Sequence, residues 1–435
     1  MGTPLKPIPY SALFETPSAL PSDEILAAAR ATARERLKRS GFPNLKTEDW
    51  KYLDVAEFVG AAYDLGPRQP HKLSQYLRER LDETDAMPVH WINQYQIDLC
   101  ATRACSGGIS VAWMSRAPEN LRRAAEKSLL DTGESASDAF RMANAALVED
   151  VLIVSVDDGA VLPKPVHVSQ VMAGLAAPSA VHRRVVLLAG KGSRASVILD
   201  VSGDEGAASL VNLVFDARIG EGAKLKLAVN HRGGSASRHL VSSRITLAES
   251  ALLQASIHAH TGKLVRTDLD VLLAGRHSRA ELTGLSVLSG ESRIHHRVTV
   301  RHEAPECASD QLFKAILAGS SRYEYTGRVE VGRGAVKTES KQLNRNLVLS
   351  DNATAYVRPQ LRILNDDVKC SHGSSTGQLE PDEVFYLESR GLDEASSRTL
   401  LAFGFAEEMI GRVPVEEFRT LAERDTLAAL KSANV

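Results

Sequence analysis

The chain has 435 residues, of which 43% are hydrophobic and 24% charged, and its formal net charge is −2 at pH 7. This length allows two or three domains, and the apolar fraction is enough for a sizeable core. Because the chain is nearly neutral and has no long basic run, neither nucleic acid nor an anionic membrane surface is an expected partner. The 4 cysteines are too few and too scattered for a disulfide framework, so we expect the reducing cytoplasm.

The first region, residues 1–150, is predicted to be helix-rich. It opens with a proline-containing segment that has no apolar signal-peptide core, and no run of about 18 uncharged apolar residues occurs in the chain. We therefore expect neither export nor a membrane-spanning helix. A helix is predicted from Ser22, which can cap it, to Ser40, before Gly41.

Cys100 and Cys105 lie in this first region and are separated by four residues. That spacing occurs in some metal sites. Because no second Cys or His pair follows at a zinc-like distance, we interpret both as ordinary buried thiols.

The second region, residues 151–377, consists of short β-rich runs broken by glycine and polar turns. A small or polar pair, an alanine and a β-run recur at steps of 28, 28, 29, 28 and 27 residues, with the alanines at Ala195, Ala223, Ala251, Ala280, Ala308 and Ala335. This period without intervening helices favours a β-solenoid, which we expect to be parallel and right-handed, with the alanine at the same bend of every coil. A β-sandwich or barrel is the alternative, but neither would repeat at a constant step.

The third region, residues 378–435, is predicted to be helical. Pro381 suits a first helical position and Gly391 a stop, a second helix is expected over 393–410, and a third after Pro414. These helices carry much apolar surface, notably at Leu400, Leu401, Phe403, Phe405, Met409 and Ile410. They could cover the open end of a solenoid or dock a partner, and an excess of exposed apolar side chains would favour docking.

The most distinctive segment is Asp366–Gly373, which reads DDVKCSHG. In an extended strand, residues i and i+2 point to the same side, so Cys370 and His372 could present sulfur and nitrogen to one metal, sulfur atom or partner surface. Two ligands cannot close a metal site, and the spacing alone favours a buried thiol beside an ordinary turn histidine.

Several other histidines occur in pairs, but none has the spacing of a known closed metal site. His258 and His260 alternate on a predicted strand, and the pair His295–His296 precedes His302. The chain also lacks G-x-x-x-x-G-K-[ST] and a strand-linked G-x-G-x-x-G. ATP hydrolysis and Rossmann-type dinucleotide binding are therefore not expected.

The DDVKCSHG segment, followed by Gly377–Leu379 and Phe385–Gly391, resembles the signature of the SufB/SufD family of scaffold proteins in SUF iron–sulfur cluster assembly. Segments Thr47–Tyr52, Gly327–Val329 and Asn344–Asp351 agree with the same pattern. The resemblance is to the SufD branch, because SufB-like sequences have a His-Glu pair where this chain has His372 and Gly373. They also have a sulfur-accepting cysteine where this chain has the apolar run Leu347–Leu349.

The resemblance implies a right-handed parallel β-helix core flanked by helical regions. It implies a non-enzymatic scaffold that pairs with a SufB-like subunit, so that nascent iron–sulfur clusters form transiently at the interface. His372 would lie there, with a role in metal binding, and Cys370 is the weaker candidate. Any ATP dependence would come from a SufC-like ATPase docked on the C-terminal helices, and our candidate docking residues are Phe385, Leu400, Leu401, Phe403, Phe405 and Met409.

Two further expectations concern cofactors and self-association. Flavin is associated with the assembled family complex, but no residue here identifies a flavin pocket. Exposed strand edges make a weak homodimer plausible. The main alternative function is a polysaccharide-acting β-helix enzyme, which the missing export signal and the missing Asp cluster on consecutive strands disfavour.

Overall fold

The computed structural model describes residues 8–14, 24–64, 84–97, 104–105, 107–206 and 208–433. Its core is a parallel β-solenoid of about eight turns, flanked by N-terminal and C-terminal helices. Each coil adds one strand to each of two sheets. The predicted mainly β solenoid with helical flanks is therefore confirmed.

The strands and helices are numbered in chain order. The strands are β1 (Ile8–Pro9), β2 (Ala62–Tyr63), β3 (Met87–Ile92), β4 (Tyr95–Ile97), β5 (Ala104–Cys105), β6 (Ile109–Trp113), β7 (Val151–Val156), β8 (Val166–Met172), β9 (Ser179–Ala189), β10 (Arg194–Gly203), β11 (Ser209–Ile219), β12 (Lys224–Arg232), β13 (Ser237–Leu247), β14 (Leu252–His260), β15 (Leu264–Leu273), β16 (Arg279–Leu288), β17 (Arg293–His302), β18 (Ala308–Leu317), β19 (Arg322–Val331), β20 (Thr338–Val348), β21 (Thr354–Ile363) and β22 (Val368–Gly377). The α-helices are α1 (Glu24–Ser40), α2 (Ala56–Val59), α3 (Glu119–Leu130), α4 (Ala139–Leu147), α5 (Pro381–Glu388), α6 (Glu394–Gly411) and α7 (Glu416–Ser432).

The even sheet has the strand order β22-β20-β18-β16-β14-β12-β10-β8-β3-β4, and the odd sheet has the order β21-β19-β17-β15-β13-β11-β9-β7-β6-β5. From β7 onward all pairs are parallel, whereas β6 pairs with β7 in antiparallel orientation. Strands of the N-terminal region thus extend both sheets at the first end of the solenoid. The division of the chain at residues 150 and 377 stays a prediction.

The N-terminal helices pack on the outward face of the odd sheet. One buried cluster joins Tyr10, Trp50 and Phe140 to Leu210 and Leu240 of the sheet. Helix α1 ends at Ser40, as the sequence predicted, and the next residue, Gly41, has a φ of +67° and donates its N–H to the carbonyl of Leu37 over 2.8 Å. The predicted cap Ser22 and the thiol of Cys100 lie outside the described residues.

In the bend before each of β10, β12, β14, β16, β18 and β20, a residue with a positive φ is followed by a small buried residue. The positive-φ residues are Gly192, Gly222, Ser250, His277, Glu306 and Lys337. The small residues that follow stack on one another as Ser193, Ala223, Ala251, Ser278, Cys307 and Thr338, because each strand starts in register with the previous one. Each of these six side chains is at most 1% exposed.

The prediction that one alanine occupies the same bend in every coil is therefore wrong. Ala195 pairs with Leu225, one position inside the strand, and Ala308 pairs with Arg279. The residues that do stack at the bend are serine, cysteine and threonine as well as alanine, because the bend requires only a small side chain. Cys307 is one of these bend residues, and its Sγ lies 3.2 Å from the carbonyl oxygen of Gly275.

The C-terminal helices pack along the outward face of the even sheet and leave the last coil uncovered. Ala402, Ala406 and Met409 of α6 share a buried cluster with Leu285 and Ile316 of the sheet. Phe418 of α7 lies in a second cluster nearer the first end. No helix among the described residues is long and apolar enough to cross a lipid bilayer.

The stacked bend residues predict that a larger side chain destabilises the fold at these positions more than at neighbouring ones. Ala251→Leu should lower the free energy of unfolding by about 1–3 kcal/mol, because a larger side chain cannot fit between stacked bends without strain. Ala308→Leu is the matched control, since Ala308 is half-buried and is not one of the stacked bend residues. Urea unfolding followed by circular dichroism measures both, and equal midpoints would show that the bend does not select for size.

Candidate functional site

The last coil, formed by β21 and β22, is an open end of the solenoid. β21 pairs only with β19, and β22 only with β20, within the described part of the chain. Both strands therefore present a free edge of backbone N–H and C=O groups. Most of their side chains are half-buried or exposed, whereas those of the preceding strands are mainly buried.

His372 and Cys370 lie on β22 and both belong to its inward-facing set. In the parallel register, Cys370 lies over Ser340 and His372 over Gln342, both of which are buried in the coil interior. His372 is exposed, because no further strand among the described residues stacks on β22. Cys370 and His372 therefore point to the same side of β22, as predicted. They lie at the open end of the solenoid formed by β21 and β22, which we call the mouth.

Cys370 differs from His372 in its surroundings. It is half-buried and packs against Val329, Val331 and Ala335 near the bend. Burial raises the pKa of the Cys370 thiol above its usual value of 9.0. Since the thiolate is the nucleophile and the metal ligand, a raised pKa makes Cys370 a poor candidate for either role. His372 is the accessible member of the pair.

The interior beneath this mouth is polar, which the sequence reasoning missed. Below His372 in the same column lie Gln342 and then Gln311, whereas earlier coils have Leu282 and Ala255 there. The phenol of Tyr325 donates to Oε1 of Gln311 over 3.0 Å. The signal was the alternation of Ser340, Gln342, Asn344 and Asn346, a polar inward face where the other coils are mostly apolar.

The other histidines singled out in the sequence are buried, and several of them lie beside a hydrogen-bonding or charged side chain. His258 lies 2.7 Å from Oγ of Ser256, and His302 lies 2.9 Å from Oγ of Ser309. His295 lies 2.5 Å from a carboxylate oxygen of Glu324. Across the described residues, no group of three or more His, Cys, Asp or Glu side chains has the geometry to hold a metal ion.

The candidate docking residues on the C-terminal helices divide into exposed and buried members. Phe385 is 70% exposed and Leu400 is 49% exposed, while Leu401, Phe403 and Phe405 are half-buried. Met409 is fully buried, and its place on an accessible docking surface is a wrong prediction, because its side chain packs α6 onto the even sheet. No residue of α5 is buried.

Two family models match this chain. The model described as SUF system FeS cluster assembly, SufBD core domain, matches residues 171–405, and the model of the SufBD protein N-terminal region matches residues 9–168. The chain therefore belongs to the SufBD family of iron–sulfur cluster assembly proteins, as its motifs predicted.

Within this family the chain is SufD-like. It is 27% identical over 394 residues to the iron–sulfur cluster assembly protein SufD of Escherichia coli, covering 86% of each chain. It is 27% identical to a SufBD family protein of Synechocystis sp., over 90% of this chain and 88% of that one. It is also 27% identical to the chloroplastic protein ABCI7 of Arabidopsis thaliana, over 94% of this chain and 87% of that one.

The buried histidines predict a pH dependence of stability. Burial lowers the pKa of His258 and His296 to about 3 and that of His302 to about 4. Below pH 6.5 the unfolded chain binds more protons than the folded one. The free energy of unfolding should therefore fall as the pH is lowered, by up to about 1.4 kcal/mol for each pH unit and each such histidine.

This loss is measured from urea midpoints between pH 7 and 5, a window above the usual carboxylate range. A midpoint independent of pH across this window would contradict the burial of neutral imidazoles.

Proposed function

We propose that this chain is a non-enzymatic scaffold subunit of an iron–sulfur cluster assembly complex, and that it pairs with a SufB-like subunit through the open end of its solenoid. The single observation that carries the proposal is the exposed His372 at the mouth, on a strand whose backbone edge is free. Membership of the SufBD family supports a SufB-like subunit as the partner.

Free strand edges favour pairing with another β-rich chain. An added strand can satisfy the unpaired backbone groups of β21 and β22, and side chains around the mouth can set specificity. Exposed apolar residues on the same coil, Tyr356 and Ile363, add apolar surface that pairing would remove from water. The same edge could pair two copies of this chain weakly, which would be a competing homodimer.

His372 supplies one nitrogen ligand in this proposal, and the iron and sulfide are the material being assembled. Imidazole is a borderline ligand that suits iron, but one ligand cannot hold a cluster. The SufB-like subunit must therefore contribute the remaining ligands. Cys370 is a minor candidate, because its thiol is half-buried and its pKa is raised.

A SufC-like ATPase would dock on the C-terminal helices in this complex. Phe385 and Leu400 are large apolar side chains that remain exposed, and α5 has no buried residue to hold it against the solenoid. Exposed apolar surface of this kind is typical of protein contacts. ATP hydrolysis would take place in that partner.

The expectations about an enzyme activity, a flavin and the cellular location have less support. The matches do not support the polysaccharide-acting enzyme, since the SufBD models together span most of the chain. No described residue identifies a flavin site. One relative is named as chloroplastic, so the cytoplasmic location stays a prediction.

The role of His372 predicts a specific loss of function. His372→Asn should leave folding intact, because the side chain is exposed, and should slow cluster assembly by the complex at least about tenfold, by analogy with losing a supporting metal-site group. Assembly is followed by the visible absorbance of the cluster under anaerobic conditions, with tagged SufB and SufC homologues present.

His277→Asn is the matched control for this variant, because His277 is also exposed but lies at a bend of an earlier coil. It should assemble clusters at the wild-type rate. Co-purification tests the scaffold role itself: a well-folded chain that retains neither the SufB homologue nor the SufC homologue would disprove it.

The docking surface predicts a separate effect on the ATPase. The double change Phe385→Ser and Leu400→Ser should weaken binding of the SufC homologue by about tenfold or more, since the few residues that anchor an interface cost more than about 1 kcal/mol each when truncated. Leu45→Ser is the control, because Leu45 is 53% exposed but lies in the N-terminal region. Calorimetric titration with unchanged affinity would place the ATPase elsewhere.

A further inference from the structure

A short N-terminal segment, Glu48–Tyr52, crosses the outward face of the odd sheet and ends at the last coil. It consists of a 3₁₀ turn, Glu48–Trp50, followed by Lys51 and Tyr52. Its side chains meet an outward-facing arginine on each of four consecutive strands: Arg266 of β15, Arg297 of β17, Arg328 of β19 and Arg358 of β21. We call this segment the staple.

The middle of the staple is held by charge and ring contacts. Asp49 pairs with Arg297 over 3.6 Å and with Arg328 over 3.3 Å, and its carbonyl accepts from Arg266 over 3.0 Å. The guanidinium of Arg266 lies 3.6 Å from the ring centre of Trp50. Trp50 is 2% exposed, so this part of the staple is anchored against three coils.

Tyr52 and Glu48 of the staple contact the edge strand β21. The ring of Tyr52 stacks on that of Tyr356, with centres 5.2 Å apart and planes at 13°. Arg358 lies 4.8 Å from the ring centre of Tyr52 and pairs with Glu48 over 3.4 Å. Arg328, which Asp49 holds, also donates to the side chain of Gln360 on β21 over 3.0 Å. β21 thus has support on its outward face although it has a strand on one side only.

We propose that the staple is a positioning device for the pairing surface: Asp49 and Tyr52 fix the edge strand β21, and through it the last coil, in the geometry that the partner subunit recognises. This proposal rests on the proposed pairing through the open end. Edge strands with few neighbours are the least protected part of a sheet, so contacts on their outward face decide how well they are ordered. Asp49 and Tyr52 touch no reacting group in this role and act through β21.

The test combines hydrogen exchange on the chain alone with binding to a SufB homologue. Asp49→Asn and Tyr52→Ala should raise exchange in the peptides of β21 and β22 about tenfold, the effect of losing roughly 1.4 kcal/mol from a charge-assisted or stacked contact. Exchange in β11 and β13 should not change. The same variants should bind the SufB homologue several-fold more weakly, and Tyr52→Phe should restore both properties, because the ring stacks without its hydroxyl.

Glu57→Gln is the matched control. Glu57 lies in the same N-terminal region, and its carboxylate contacts two cations, Arg238 of β13 and Lys263 just before β15, which belong to earlier coils than β21 and β22. This variant should leave exchange in β21 and the affinity for the SufB homologue at wild-type values. Weaker binding by Glu57→Gln would show that any loosening of the N-terminal region suffices, and would overturn the assignment to the staple.

Two other results would also overturn the proposal. Exchange in β21 and β22 that is unchanged by both Asp49→Asn and Tyr52→Ala would show that the staple does not order the last coil. Faster exchange with unchanged affinity would show that it orders the coil without positioning it for the partner. A wild-type chain that fails to bind the SufB homologue would instead disprove the proposed pairing, while exchange on the chain alone would still report whether the staple holds β21.

Discussion

Parallel, in-register stacking of consecutive coils is the constraint on which the other features of this molecule depend. Each inward side chain lies over its counterpart one coil earlier, so its environment is set by two neighbours in a column. His372 lies over Gln342, which lies over Gln311, and that residue lies over Leu282. The last member of such a column has a neighbour on one side only. The exposed imidazole therefore follows from where the repeat stops.

The flanking helices leave this end free because each layer packs on an outward face. On the even sheet, Lys314 is 4% exposed, its Nζ donates to the carbonyl of Phe405 over 2.9 Å, and it pairs with Glu408 over 2.7 Å. Moving α6 away would break these contacts and expose the apolar cluster of Leu285, Ile316 and Met409 to water, which is costly. These contacts fix α6 to the even sheet and leave β21 and β22 uncovered.

The sequence predicted the stacked coils, whose period is strict. It did not predict which residues occupy the bends, where only side-chain size matters, or how exposed the residues of the last coil are. The period of about 28 residues indicated stacked coils, but the alanines were misaligned, since Ser193, Ser278 and Cys307 meet the size limit of the bend as well as alanine does. Met409 was expected on a docking surface, but apolar character does not reveal which face of α6 meets the sheet. Alternation correctly placed Cys370 and His372 on one side, yet it could not show that one is half-buried near the bend.

This difference between the two residues bears on the chemistry of a scaffold. A thiolate binds iron strongly, whereas a neutral imidazole binds it less firmly and without adding negative charge. With Cys370 packed against Val329 and its pKa raised, the described mouth offers nitrogen to a partner more readily than sulfur. In the proposed complex the SufB-like subunit would hold most of the nascent cluster, and one weak ligand from this chain would be broken on release. An assembly site that must give up its product is better served by that asymmetry than by a complete ligand set on either subunit.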